Sequence, residues 1–400
     1  MKRTGLLLLL LLLIGMPMRT RAQHGLSATI QQLAGKKIEL SSYTGLDLVV
    51  VDSILGDAAG RFVYDPILPQ GMYVIAYNNL VLEFLSTGKP VEMTLDDIDD
   101  EYSVRFVDDP DNTRWTAYQL LRDHYRYGHR EPETFKRLTD SLMGTSTGFA
   151  TKLILVDRDQ TPQPSHFMDT DLIPTNVLST KIVECLTRSE NDFVKGSQQV
   201  LQMAKVSMPM YEYALSYLLL GFSKLGLEEV TNYLLSFPCL AEGEISAEEG
   251  KHLETITEPY QKVKVGAKAP DIQTNTIDGK PYHLYDSDAK WIIVVFWAVD
   301  CEYCHDFLKG IRKNLDLRHE FELVSFAIAD DEAEVRSELR RLKLKGWHCY
   351  DEQRWEGEAF LDYHVVSTPT VFLLDHDKTI VCKPYDWDEL KLYLKNNKNK

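Results

Sequence analysis

The chain opens on an apolar run, Gly5 through Met16, that holds eight consecutive leucines from Leu6 to Leu13. Behind it the hydrophobic period changes twice. From residue 24 to about 98 the apolar positions fall in short runs, such as Lys37-Ile38-Glu39-Leu40, Leu48-Val49-Val50-Val51 and Met72-Tyr73-Val74-Ile75-Ala76. Branched and aromatic side chains of this kind pack well on a pleated surface. Turn signals at Gly35, Gly45, Gly60, Pro69-Gln70-Gly71, Asn78-Asn79 and Gly88-Lys89-Pro90 separate the runs. The spacing predicts an all-β, sandwich-like antiparallel module over residues 23–98. No catalytic residue types gather in it, so it reads as a binding or docking module.

An acidic stretch from Asp96 to Asp111 reads as a connector, after which the period lengthens to that of a helix. Residues 99–262 are expected to form a mainly α-helical region, with Asn112 and Thr113 capping a helix that carries Trp115, Tyr118 and Leu121. Val183, Leu186, Tyr211, Leu215, Leu218, Leu219, Val230 and Leu234 supply later apolar faces, and Pro162, Pro164, Pro174, Pro209 and Pro238 mark breaks. From Val265 the pattern alternates. Trp291 through Trp297 is a near-continuous apolar run, as expected of a strand buried on both faces. Cys304, Phe307, Leu308, Ile311 and Leu315 then mark one face of a helix. A strand from Leu323, a helix through Val335, Leu339 and Leu342, a strand from Thr370, a hairpin turn at Asp375–Lys378 and a last helix over 388–395 complete an α/β domain at 263–400.

The opening run is preceded by Lys2 and Arg3 and followed by Thr20-Arg21-Ala22, the charged, apolar, small-residue order of a secretory signal peptide. It is shorter than the about 20 apolar residues needed to span a bilayer. The expectation is cleavage after Ala22, which removes Lys2, Arg3, Arg19 and Arg21 and takes the formal charge from −16 to −20. The first cysteine is Cys185, so no lipid-accepting cysteine stands near the cleavage site. No later stretch reaches spanning length, and the mature chain is expected to be soluble in the periplasm or cell envelope. Acids outnumber bases 60 to 44, which argues against a nucleic-acid surface. Six cysteines in 400 residues are too few for a disulfide scaffold.

Two of the six are placed for chemistry. Cys301-Glu302-Tyr303-Cys304 follows the buried strand and opens the amphipathic helix. At a helix N-terminus, unpaired N–H groups and the positive dipole end stabilise a thiolate. A second cysteine one turn on can attack the mixed disulfide that the first one forms. Elsewhere, Gly144-Thr145-Ser146-Thr147-Gly148 has the spacing of a hydrolase nucleophile elbow, but a helix rather than a strand is expected before it, so it reads as a loop.

The segment from about 263 to 400 resembles the thioredoxin fold of the TlpA/ResA-like extracytoplasmic thiol–disulfide oxidoreductases. The matching residues are Val265-Gly266, Ala269-Pro270-Asp271, Asp278-Gly279-Lys280, Phe296-Trp297-Ala298, the Cys301–Cys304 motif and Ser367-Thr368-Pro369-Thr370. The resemblance implies that Pro369 is a cis-proline beside the cysteine pair, that Thr368 presents backbone to substrate, and that Trp297 belongs to the same groove. It implies no cofactor beyond the redox-active disulfide and no metal. The partners implied are disulfide-containing exported proteins and a membrane electron donor. The whole layout is similar to multidomain members of that group.

Departures from the family pattern modulate the expectation. Asp300 and Tyr303 stand where tryptophan before the first cysteine and proline before the second are common, and Val295 replaces thioredoxin's buried aspartate. Proton exchange with Cys304 must then use His305 or water. Asp300, Glu302 and Asp306 oppose a thiolate at Cys301, which points to a reductant or isomerase rather than a strong oxidant. Four other readings of the motif exist. Cys301 to His305 spells a c-type haem attachment sequence. A zinc site would need a second ligand pair. A peroxiredoxin would need threonine where Ala298 stands. A structural disulfide in a non-enzymatic envelope binding protein is the fourth. Cys382 reads as a packed strand thiol and Cys349 as a loop residue; Cys185 and Cys239 are open between free thiols and a disulfide.

Overall fold

A computed structural model describes residues 24–127, 132–159, 161–236, 247–315 and 320–397. The leucine run, the expected cleavage site and Cys239 lie outside the described residues. The chain divides into two compact units, 1–184 and 185–400, so the helices of the middle region are shared between two units instead of forming one of their own.

The first unit begins with eight strands: β1 (Leu26–Thr29), β2 (Lys37–Thr44), β3 (Asp47–Leu55), β4 (Arg61–Tyr64), β5 (Gly71–Tyr77), β6 (Leu80–Ser86), β7 (Val91–Leu95) and β8 (Val104–Phe106). They form two four-stranded sheets, ordered β4-β1-β7-β8 and β3-β2-β5-β6. Alternating apolar residues from both sheets, among them Leu26, Ala28, Leu40, Phe62, Ile75, Leu82, Phe84 and Met93, meet in one core. Two details differ from the sequence expectation. β1 pairs with β7 in parallel, so the sandwich is not wholly antiparallel. And β8 lies inside the acidic stretch read as a connector, where Phe106 pairs with Met93 and Val104 with Leu95. Only three residues long, it leaves no run of alternating residues to betray it.

Helices α1 (Pro110–Tyr127), α2 (Pro132–Met143) and α3 (Phe149–Asp157) follow. Asn112 does not cap α1. The Asp109 carboxylate accepts from the Asn112 N–H at 3.0 Å, while the buried Asn112 amide accepts from Leu85 N–H and donates to Leu85 C=O, each at 2.7 Å. A residue type that caps helices here pins one to strand β6. The Gly144–Gly148 segment is a helix-to-helix turn in which Ser146 Oγ accepts from Gly148 N–H at 3.1 Å. α4 (Asn176–Arg188) carries the boundary between the units.

The second unit continues with α5 (Phe193–Ala204), α6 (Met208–Lys224), α7 (Glu228–Ser236) and α8 (Ala247–Lys262). Then come β9 (Gln273–Asn275), β10 (Pro281–His283), β11 (Trp291–Ala298), α9 (Glu302–Asn314), β12 (Phe321–Ile328), α10 (Glu332–Leu342), β13 (Trp347–Tyr350), α11 (Glu358–Asp362), β14 (Thr370–Asp375), β15 (Ile380–Cys382) and α12 (Trp387–Asn396). The five-stranded sheet is ordered β13-β12-β11-β14-β15. β11, β12 and β13 are parallel; β14 and β15 run antiparallel to their neighbours. β11 is buried along its whole length. Trp291, Ile293, Val295 and Trp297 face a core shared with α9, α10 and α12. Ile292, Val294 and Phe296 face the opposite core with Phe360 and Tyr363. Strand alternation thus divides the central apolar run between two layers.

α9 lies close to α12 because Gly310 has no side chain. A Cβ there would sit 2.5 Å from the Trp387 indole. Gly310→Ala is expected to destabilise the protein by about 1–3 kcal/mol through this overlap, and alanine's better helix propensity, about 1 kcal/mol, offsets only part of that. Thermal unfolding followed by circular dichroism checks it: the variant melts lower than wild type.

Candidate active site

β11 ends at Ala298, and the chain turns at once, with Cys301 N–H donating to Ala298 C=O at 3.2 Å. Cys301 is extended and caps α9: its Sγ accepts from the Cys304 N–H at 3.1 Å. This is the contact a thiolate needs, an orphan helix N–H aimed at sulfur. A disulfide joins Cys301 to Cys304. The two sulfurs differ in access. Cys301 is partly exposed, whereas Cys304 is 0% exposed in the apolar cluster of Val295, Trp297, Phe307 and Leu308. A partner's sulfur can reach the first and not the second.

The loop before β14 comes to the same place. Thr368–Pro369 is a cis peptide bond, and the Thr368 carbonyl oxygen lies 3.9 Å from Cys301 Sγ. Thr370 Oγ1 donates to Ser367 C=O at 2.7 Å and closes the loop on itself. The Thr368 carbonyl thus approaches Cys301, with the cis bond to Pro369 next to it in the chain. Trp297 does not join them. It is 0% exposed, with its indole packed in the core behind Cys304. The corrected role is a back wall, because odd-numbered positions of β11 point into the layer beneath α9.

Glu302 and Asp300 are exposed, and Tyr303 is 82% exposed at the mouth of the motif. Asp306 is paired with Lys309 at 2.9 Å, and this hydrogen bond and charge hold its carboxyl below the usual range. Val295 is fully buried and leaves no carboxylate beneath Cys304. His305 is engaged elsewhere. Its Nε2 lies 3.1 Å from a Glu338 oxygen, and Arg341 Nη2 lies 3.4 Å from Nδ1, both on α10. Both ring nitrogens lie toward charged groups of α10, although Nε2 makes no hydrogen bond there. Glu338 and Arg341 are charged residues near the motif that its local sequence does not reveal, because α10 reaches the site only through the fold.

The hydrogen bond from Arg341, then the nearby His305 charge, hold the Glu338 carboxyl below its ordinary 4.5, against the opposing effect of burial. The folded value is depressed, so Glu338 contributes stability fully above pH 4.5 and loses it as pH falls through the folded value. Glu338→Gln is therefore expected to lose less stability than wild type on going from pH 5 to pH 3, as measured by urea unfolding at each pH.

The other described cysteines are buried free thiols. Cys349 lies on β13, not in a loop, and is buried; burial pushes its thiol up to about 12. Cys382 on β15 is likewise buried, and burial, then Glu389 and Glu228, push it to about 12. Cys185 is a buried free thiol. In the first unit a cavity of about 640 Å³ beside α3 has Lys152 and His166 on its wall, and both are already paired, with Asp169 and Asp159 respectively. Among the described residues, no helix is long and apolar enough to cross a membrane.

A central parallel sheet with an antiparallel edge, a helix opened by a cysteine pair and a facing cis-proline loop define a thioredoxin-like domain with a C-x-x-C disulfide. Residues 265–383 match the AhpC/TSA family. Over 123 residues, 30% of this chain and 69% of the relative, the sequence is 25% identical to the thiol-disulfide oxidoreductase ResA of Bacillus cereus. Over 134 residues, 32% of this chain and 75% of the relative, it is 26% identical to the thioredoxin-like protein YneN of Bacillus subtilis. A solved thioredoxin-like protein from Bacteroides caccae is similar over 71% of this chain and 94% of its own, at 16% identity and a TM-score of 0.40.

Proposed function

We propose that the protein is an exported thiol–disulfide oxidoreductase that reduces or isomerises disulfides of envelope proteins through Cys301 and Cys304. The observation that supports this reading is the partly exposed Cys301, its sulfur held by the Cys304 N–H on one side and facing Thr368 on the other. The name of the ResA relative supports the reaction class. Export rests on the order of charged, apolar and small residues from Lys2 to Ala22. Within the AhpC/TSA match, Ala298 in place of threonine favours disulfide exchange over peroxide reduction.

In the reduced enzyme the Cys301 thiolate attacks one sulfur of a substrate disulfide. The substrate's S–S bond breaks, and its departing thiolate takes a proton from water. Cys304, deprotonated by water, then attacks Cys301 Sγ and breaks the intermolecular bond. The second substrate thiol leaves, two electrons have passed to the substrate, and the enzyme holds the Cys301–Cys304 disulfide. For reduction to turn over, a membrane dithiol donor must return two electrons; for isomerisation, the substrate's own thiol displaces Cys301. The disulfide is the only redox centre this scheme uses.

Insulin reduction tests it, comparing wild type with Cys301→Ser under dithiothreitol. Wild type should precipitate the insulin B chain well ahead of the uncatalysed control, and the variant should not. Equal rates would support the binding-protein reading with a structural disulfide.

A further inference from the structure

Behind the Thr368–Pro369 loop lies a part of the second unit outside the thioredoxin-like domain. The turn between α6 and α7 reaches it at Gly226, whose φ is +66° and where a Cβ would sit 3.1 Å from Tyr385. Glycine suits both that left-handed backbone and that close approach. One turn on, Glu228 Oε1 pairs with Lys383 Nζ at 2.7 Å, with the two side chains 19% and 13% exposed. Lys383 follows β15 and also lies 5.6 Å over the ring of Phe372 on β14, the strand that the 367–369 loop feeds.

The same place holds two polar atoms without a partner among the described residues. Glu228 Oε2 and His364 Nε2 are both buried and unpaired. Glu228, His364, Lys383, Ser367 and Pro369 together line one cavity of about 40 Å³. A water needs about 10–15 Å³, so this cavity has room for one. A buried ion pair retained with such a neighbourhood stabilises little by itself, yet breaking it by removing one partner is costly. It fixes where its two elements sit.

We propose that the α6–α7 turn is a positioning element of the exchange site: Glu228, paired with Lys383 and facing His364 across the cavity, holds the Ser367–Pro369 loop in the shape that receives a substrate disulfide. The helices before the thioredoxin-like domain then have a part in substrate capture. The inference rests on the exchange reading above, and Glu228 acts through the loop without touching the reacting sulfurs.

The test uses the full mature chain, with Glu228→Ala and the charge-reversed pair Glu228→Lys with Lys383→Glu. With insulin as substrate, Glu228→Ala should raise KM by about fivefold or more while kcat stays within about twofold, the mark of lost binding rather than lost chemistry. The reversed pair should bring KM back toward wild type, since coupled residues are not additive. Hydrogen exchange supplies a readout independent of turnover. The amides of Ser367, Thr368 and Thr370 should exchange faster in Glu228→Ala, and those of β11 should not. Unchanged KM and unchanged loop exchange would overturn the proposal, and so would kcat and KM failing together with a collapse in Tm that the reversed pair does not rescue. Loop exchange that responds to Glu228→Ala while wild type and Cys301→Ser are equally inactive would sink the exchange reading and leave the brace standing as structure only.

Discussion

Cys304→Ser is expected to trap substrates covalently on Cys301. The two cysteines differ in access. Cys301 is reachable and capped by a helix N–H, so it forms the mixed disulfide. Cys304 is sealed in the apolar core and attacks only its neighbour. Serine at 304 removes the attacking thiol without changing the backbone N–H that supports Cys301, so attack continues and release stops. A reduced Cys304→Ser preparation mixed with an envelope extract should give dithiothreitol-sensitive adducts on non-reducing gels, and turnover on insulin should fall by about 100-fold or more, on the scale lost when a covalent intermediate cannot resolve. Cys301→Ser should give no adducts. Adducts that form equally in both variants would contradict the assignment of the two roles.

The largest stability effect is expected at Phe296. Its ring lies fully buried at the centre of an aromatic cluster, 5.1 Å from Phe326, 5.0 Å from Phe360, 5.4 Å from Tyr363 and 6.3 Å from Phe372. These rings come from β11, β12, α11 and β14, so one side chain joins four elements of the sheet and its cover. Phe296→Ala removes that contact and leaves a cavity the rigid neighbours fill poorly. The expected cost is about 3–5 kcal/mol. At about 2–4 °C per kcal/mol for a unit of this size, Tm should drop by roughly 6–20 °C. Differential scanning calorimetry checks it, and a shift below about 3 °C would mean that the site collapses or that the ring is not the hub described. Trp297, the next residue, backs Cys304, so exchange activity should fall in parallel at temperatures where wild type is fully folded.

Structure is legible in the sequence where one physical signal dominates. The seven-residue apolar run Trp291–Trp297 fits a strand buried on both faces, and it is one; the shorter run Leu48–Val51 is exposed on β3. The cysteine spacing carries its own chemistry, and Thr368–Pro369 is recognisable by resemblance. Legibility ends where contacts link distant positions. Asn112 looks like a helix cap because caps are what asparagine usually makes, and its role in holding β6 depends on tertiary placement. Trp297 was assigned to the groove by motif, while strand alternation turns it inward. His305 stands beside Cys304 in the chain, yet its ring lies against Glu338 and Arg341 of α10. Glu228 and Lys383 have no local pattern at all. An ion pair across a fold leaves no period in the sequence.

The acidic neighbours of Cys301 set the expected direction of the reaction. Asp306 is balanced by Lys309, while Glu302 and Asp300 remain exposed beside the motif. Carboxylates near a sulfur disfavour its thiolate and so disfavour the reduced, thiolate-bearing form. That lowers the potential relative to strong oxidases, whose reduced form is stabilised.

Equilibrium titration of the Cys301–Cys304 pair against defined thiol–disulfide buffers tests the central claim most directly. One reversible two-electron transition is expected, with a midpoint between about −180 and −300 mV. A bond that stays oxidised well below about −300 mV would mark a structural disulfide, and a midpoint near about −120 mV would mark a strong oxidant; either result contradicts the account.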